Sequence, residues 1–278
     1  MKFYIGVDLG GTKTAAGLVN EKFEIIAKDS CPTGLPCPHE DVGKNIANLC
    51  KSVCEKGDID INAVEWIGVG APGSVNGKSG IVAFSANFAY ENWTLKKNLE
   101  NLLPRPVFIE NDANAAAYGE YVAGALKGTV YSIAVTLGTG IGSGVIIHGQ
   151  LFSGYNSSGA ELGHMVIEKG GRQCMCGRKG CYEKYASARA LTEDTVAEMK
   201  KNPDNVMWKI ANGSLENVNA KTAFDAMRQG DPLAKKIIHN FVEYVACGLT
   251  NIINIFQPEI ICIGGGRRCF VRTYQRIR

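Results

Sequence analysis

The sequence predicts an α/β fold made of two related halves facing each other across a cleft. Two observations carry this: a short apolar strand runs directly into a glycine-rich turn at the N-terminus, and the same plan recurs from residue 129. Helical stretches follow each copy, as an α/β architecture requires. In the first copy, Phe3 to Val7 is an apolar run ending in Asp8, a tight glycine turn follows, and Ala15 to Val19 returns as a second strand. A third strand is expected near Phe23 to Ala27, completing a meander. Val42 to Cys54 has helical spacing, and Trp66 to Ala71 is a buried strand entering the turn Pro72-Gly73. Val107 to Ile109 is a further strand, which ends at Glu110-Asn111-Asp112 and leads into the helix former Ala113 to Ala125.

The second copy begins with Thr129 to Thr136, passes through the turn LGTGIGSG, and returns along Val145 to Ile147. Leu233, Ile237, Phe241, Val245, Leu249, Ile252 and Phe256 then mark one face of a long helix whose role is core packing. Glu259 to Ile263 is the last buried strand, running into Gly264-Gly265-Gly266. The final twelve residues, RRCFVRTYQRIR, carry five arginines and no pattern that assigns them to a packed element. The division expected is a domain over 1–118 with the first glycine loop, and a domain over 119–278 with the second loop and a truncated or atypical C-terminus.

Composition narrows the function. At 278 residues, with 45% hydrophobic and 21% charged residues, the chain has room for a large core and reads as an ordinary soluble protein. No apolar run approaches a membrane span, and the N-terminus lacks a leader's apolar region and cleavage site, so a cytoplasmic location is expected. A net charge of +3 offers no field for nucleic acid. Ten cysteines are too thinly spread for a disulfide scaffold. Cys50, Cys54, Cys247 and Cys262 read as small core residues in a reducing compartment.

Between Glu161 and Glu183, ELGHMVIEKGGRQCMCGRKGCYE sets His164, Cys174, Cys176 and Cys181 among glycines and charged residues. Three thiols and one imidazole form a structural zinc set, with no position left for a catalytic water. The plainer alternative is three buried thiols and an unrelated surface histidine. A zinc ribbon for nucleic acid would pair two CxxC knuckles, which this stretch lacks.

The two glycine loops suggest phosphate. In Asp8-Leu9-Gly10-Gly11-Thr12-Lys13-Thr14, backbone amides can approach an anion with hydroxyls and an ammonium beside them, although the run is not a Walker A motif. Gly138-Thr139-Gly140 offers the same from the other half, and Gly264-Gly265 is a third point of backbone approach. A tight hairpin would also explain some of these glycines. Asp112, at a strand end, is the candidate general base, with helix capping by Asn111 or Asp112 as the structural alternative.

DLGGTKT, GAPG at 70–73, ENDANAAAYGE at 110–120, LGTGIGSG, GAELGH at 159–164 and CMCGRKGCYE at 174–183 together resemble the ROK family of bacterial sugar kinases and sugar-responsive repressors, most nearly its ATP-dependent glucokinases. The resemblance runs from about residue 4 to 266. It implies two actin-like, ribonuclease-H-like domains, ATP and Mg²⁺, a structural Zn²⁺, a hexose substrate and a homodimer. Asp112 would take the proton of the sugar 6-hydroxyl while Asn111 binds neighbouring hydroxyls. Glu161, His164 and Glu183 would grip the far edge of the ring, His164 while also bound to zinc, and Asn87 would add a sugar contact. Asp8 would orient hydrated Mg²⁺, and the Gly10-Gly11-Thr12 and Gly138-Thr139-Gly140 amides would hold phosphates. The family's repressors carry a helix-turn-helix ahead of the kinase-like part, for which the seven residues before Asp8 leave no room. An N-acetylhexosamine kinase, a polyphosphate-dependent kinase and a non-catalytic sugar-binding relative are the other readings that the resemblance allows.

Overall fold

The structure is a computed structural model that describes residues 1–85, 88, 90–265 and the backbone of 270–273. The chain divides into one compact unit of residues 1–128 with 144–160 and another of 129–143 with 161–278.

The first unit opens with β1 (Phe3–Leu9), β2 (Lys13–Asn20) and β3 (Ile25–Pro32), followed by α1 (His39–Lys56) and β4 (Val64–Ala71). Next come the short strands β5 (Ser74–Asn76), β6 (Ile81–Ser85) and β7 (Tyr90–Trp93), the helix α2 (Leu95–Glu100), then β8 (Val107–Asn111) and α3 (Asp112–Ala123). The main sheet has the order β3-β2-β1-β4-β8, with β1, β4 and β8 parallel and β2 and β3 antiparallel. Alternation decides which side chains go inward: Ile5, Val7 and Leu9 of β1 are buried, which sends Asp8 to the opposite face. Val42, Ile46, Leu49 and Val53 of α1 recur at helical spacing and share that core with Ile67, Val69, Val107 and Ile109. The third strand starts two residues later than expected. Asn20 Oδ1 accepts the Lys22 and Glu24 amides and Phe23 has φ 64°, so Phe23 belongs to the turn. The sheet β5-β6-β7 has no counterpart in the sequence reading.

Next along the chain come β9 (Ser132–Leu137), β10 (Ile141–Ile147) and β11 (Gln150–Phe152); β9 and β10 up to Ser143 belong to the second unit, and the rest of β10 with all of β11 to the first. Helices α4 (Glu183–Ala186), α5 (Ala188–Lys201), α6 (Val206–Ile210), α7 (Ala220–Arg228) and α8 (Pro232–Phe256) come before β12 (Ile260–Gly264) and β13 (Phe270–Thr273). The sheet order is β11-β10-β9-β12-β13. Its first four strands repeat the plan of the other sheet, a meander flanked by a parallel strand, because β12 runs parallel to β9 as β4 does to β1. The duplication read from the glycine loops is therefore also one of topology. A second core joins Leu191 and Met199 of α5 to Met207, Ala223, Ala234 and Ile238.

Two expectations are corrected. The arginine-rich tail is not wholly without structure, since Phe270–Thr273 pairs antiparallel with β12 as an edge strand; the remainder of that tail lies outside the described residues. Of the cysteines read as core, Cys50 and Cys54 are buried, but Cys247 is exposed. Cys247 sits about 200° around α8 from Val245 and so leaves the apolar face. Cys262 is buried but disulfide-bonded, so it is not a free core thiol.

Candidate active site and metal cluster

Parallel strands deliver their C-terminal ends to one edge of a sheet, where open α/β folds bind ligands. In the first unit that edge holds Asp8 of β1, registered with Gly70, and Asn111 of β8, registered with Ala71. The competition for the α3 N-cap is settled: Asn111 Oδ1 accepts the Ala113 and Asn114 amides, while its Nδ2 donates to the Gly73 carbonyl. Capping therefore falls to Asn111, and Asp112 is the first helical residue, with Oδ1 accepting its neighbour's amide. The Asp112 carboxyl is reached by solvent, yet the protein crowded around it disfavours its charged form. That desolvation, followed by the charge of Asp8, moves its pKa up. Burial likewise raises the pKa of Asp8. Glu110, not singled out from the sequence, braces the turn: Oε1 accepts the Asn111 amide at 2.9 Å and Asn114 Nδ2 at 3.0 Å.

The first glycine loop closes at Gly10 N to Lys13 O, 3.1 Å. A side chain at Gly10 would sit 2.6 Å from that same carbonyl, so the turn requires glycine there.

In the second unit, Gly138 N donates to Gly140 O and the amide of Ala188, at the start of α5, donates to Gly138 O. A Cβ at Gly140 would fall 2.6 Å from Glu183 Oε2, so this loop touches a carboxylate of the cysteine-rich segment. Glu161 precedes a 3-10 turn over Leu162–His164, where the Leu162 amide donates to Ser143 Oγ and Gly163 packs on the Ile141 backbone. The carboxylate-bearing segment and the loop's exit strand thus share one framework.

His164, Cys174, Cys176 and Cys181 converge, with all their ligand atoms within 4.8 Å of one another. Bridges Val166↔Cys181 and Gln173↔Lys179 fold the segment back on itself, and Gly177, at φ 88°, turns the chain after Cys176. Cys176 Sγ lies 3.5 Å from Cys181 Sγ, and Cys174 Sγ 3.7 Å from His164 Nδ1. Tetrahedral bonds of 2.3 Å to sulfur put ligand atoms about 3.8 Å apart, so the donor set and its spacing fit zinc. Burial opposes the Cys176 thiolate, but hydrogen bonds from the Arg178 amide and guanidinium, and from Cys181 and Cys174, bring its pKa down to about 6. Glu183 Oε1 accepts from Cys174 Sγ at 3.2 Å and stands 3.8 Å from His164 Nδ1. Arg172, absent from the sequence reading, pairs with Asp194 of α5 at 2.7 Å and stacks 4.6 Å over the Tyr185 ring, tying the segment to its helices.

Each unit thus collects its own share of the expected residues. Asp8, Gly10, Gly11, Thr12, Lys13, Asn111 and Asp112 fall in the first, and Gly138, Thr139, Gly140, Glu161, His164, Glu183 and the three cysteines in the second. Gly264 pairs with Thr136, and a side chain at Gly265 would meet the Leu137 carbonyl at 2.0 Å, so the glycine pair lies beside the second loop. Asn87 lies outside the described residues.

Residues 4–278 match the ROK family. The chain is 43% identical over 263 residues to the glucokinase of Thermotoga maritima, spanning 94% of this chain and 81% of that protein. It is 37% identical over 268 residues to the glucokinase of Streptomyces coelicolor, spanning 96% and 82%. Among solved structures, it superposes with a TM-score of 0.83 and 37% identity on a ROK family glucokinase from Streptomyces griseus in complex with glucose and AMPPNP, covering 95% of this chain and 83% of that one.

Proposed function

The chain belongs to the ROK family, and on that premise we infer that it is an ATP-dependent hexose kinase of the glucokinase type. The observation that carries this reading is the meeting of Asp112 and Asp8 at one sheet edge, beside the first glycine loop.

Phosphoryl transfer asks a protein mainly for alignment and charge stabilisation. We assign Asp112 as the general base that accepts the proton of the sugar 6-hydroxyl while that oxygen attacks the γ-phosphate. A carboxylate whose pKa lies above the ordinary value is a stronger proton acceptor, which suits this task. Asn111, held by its cap and by Gly73, fixes where Asp112 points and offers its remaining Nδ2 hydrogen to a sugar hydroxyl. Asp8 is an oxygen donor suited to a hydrated Mg²⁺, whose chemistry when bound is to neutralise phosphate charge. Amides of Gly10-Gly11-Thr12 and Gly138-Thr139-Gly140 hold phosphate oxygens, with Lys13 nearby and Gly264-Gly265 flanking the second loop.

In the second unit, Glu161, His164 and Glu183 grip the hydroxyls on the far edge of the ring. His164 serves both roles because Nδ1 faces the thiols and Nε2 is left for the sugar. Zinc supplies no reaction step; held by His164, Cys174, Cys176 and Cys181, it fixes the segment that reads the sugar. The same proposal takes the two units as actin-like, ribonuclease-H-like lobes; Asn87 belongs to it as a further sugar contact.

The test is coupled ADP release with Mg²⁺ and ATP across glucose, mannose, fructose, N-acetylglucosamine and N-acetylmannosamine, with polyphosphate as an alternative donor. Glucose is expected to give the highest kcat/KM. A preference for an N-acetylated sugar would reassign the substrate, and no turnover with any sugar would overturn the kinase reading.

A further inference from the structure

The stretch between β3 and α1 was passed over in the sequence, yet it supplies a side chain that holds the first glycine loop. Thr33 is fully buried, as is its neighbour Thr14 at 1% exposure. Its hydroxyl donates to the Gly10 carbonyl at 2.6 Å, and its backbone amide donates to the Thr12 carbonyl at 3.0 Å. With the Thr33 hydroxyl proton committed to Gly10, the 3.0 Å contact between the two threonine hydroxyls runs from Thr14 Oγ1 to Thr33 Oγ1. One residue therefore clasps both sides of the Gly10-Gly11-Thr12 turn, backed by a second hydroxyl. Lys13 is registered with Pro32, so Thr33 stands where β3 ends, immediately beside the loop.

The consequence follows from peptide geometry. The Gly10–Gly11 bond is trans, so its C=O and N–H point in opposite directions. Drawing the Gly10 carbonyl to Thr33 turns the Gly11 N–H away from the core. We propose that Thr33 is a positioning residue for the nucleotide: its hydroxyl fixes the orientation of the Gly10–Gly11 peptide so that the Gly11 amide is presented to a phosphate oxygen before ATP arrives. Without that bond, two adjacent glycines leave the peptide free to flip, and binding must then pay to order it. This inference rests on reading the first loop as a phosphate site.

Thr33→Val keeps the shape and removes the hydroxyl, so steady-state kinetics with MgATP and glucose isolate the effect. We expect the KM for ATP to rise about tenfold, the loss of roughly one well-placed hydrogen bond to a charged group, with the glucose Kd measured without nucleotide changing less than twofold. Thr33→Ser restores the hydroxyl and is expected to bring the ATP KM back within twofold of the parent. A purely structural role would instead lower the unfolding midpoint and shift both substrates together, with no rescue of the ATP term, and would overturn the proposal. Gly10→Ala separates the two layers of the argument. If it raises the ATP KM while Thr33→Val does not, the positioning role is wrong and the phosphate loop stands. If neither variant changes it, the phosphate-loop reading itself falls and takes this inference with it. Should Thr33→Val not accumulate as folded protein, Thr14→Val removes only the outer hydroxyl. A rise of about threefold in the ATP KM would then support the relay, and an unchanged value would overturn it.

Discussion

The two glycine loops follow one plan, an apolar strand, a turn and an antiparallel return, but they are held by different chemistry. In the first unit, buried hydroxyls of Thr33 and Thr14 hold the loop through neutral hydrogen bonds. In the second, Gly140 abuts the carboxylate of Glu183, which also contacts Cys174 and His164 of the metal cluster. A duplicated framework has thus been specialised through its braces rather than its backbone. Among the described residues, one loop is held from the end of β3 in its own sheet, and the other abuts the segment assigned to the sugar.

The contrast breaks most sharply at Asp112. Asp112→Asn should lower kcat roughly a thousandfold while glucose binding persists, as for loss of a general base. Near-normal turnover would remove the chemistry from the first unit. In the second unit, Cys176→Ser should release about one zinc per chain, read by metal analysis, and weaken glucose affinity between about tenfold and a hundredfold. Unchanged metal content would mean that the cluster is not the site. Gly140→Ala should push Glu183 aside and raise the glucose Kd about fivefold in the absence of nucleotide, whereas Gly10→Ala should leave that Kd unaltered. Equal effects from both variants would erase the distinction between the loops.

The smallest effect concerns stability. Because the folded state raises the pKa of Asp112, it binds that proton more tightly than the unfolded chain does. The carboxylate therefore costs stability above its folded pKa and costs none well below 3.8. Asp112→Asn should raise the unfolding midpoint at pH 7 by about one or two degrees and lose that advantage in acid. A lower midpoint at pH 7 would contradict the desolvation assigned to this carboxyl.

The meanders and the helices α1, α3 and α8 were legible because alternating or helical apolar spacing, punctuated by glycine, leaves few other ways to bury the chain. The strands β5 to β7 were not, being only three to five residues long, too short for a period to emerge. The strand β13 was hidden by the arginines around it, which an edge strand tolerates. At the candidate site, residue types with strong chemical preferences stood out: Asp112 at a strand end, and three thiols with an imidazole. Thr33 and Arg172 were missed because they act through hydrogen bonds to partners distant in sequence, whereas Glu110, whose partners Asn111 and Asn114 are local, was missed because nothing in its residue type says which amides it accepts. Thr33 reaches Gly10 across 23 positions of sequence, and no local spacing announces such a partner. Asn111 shows the reverse, since its type suggested either a cap or a ligand contact and the geometry commits its oxygen to the cap.

The 3.5 Å gap between the sulfurs of Cys176 and Cys181 has a practical side. Cys176 is open to solvent and its thiolate is favoured near neutrality, the combination that makes a cysteine easy to oxidise. In air and with no ion held between them, these two sulfurs are set to join covalently, which would block metal loading. Chelation should therefore be carried out under reductant and without oxygen; otherwise a loss of activity caused by the disulfide, and restored by reductant, would be mistaken for the effect of metal removal.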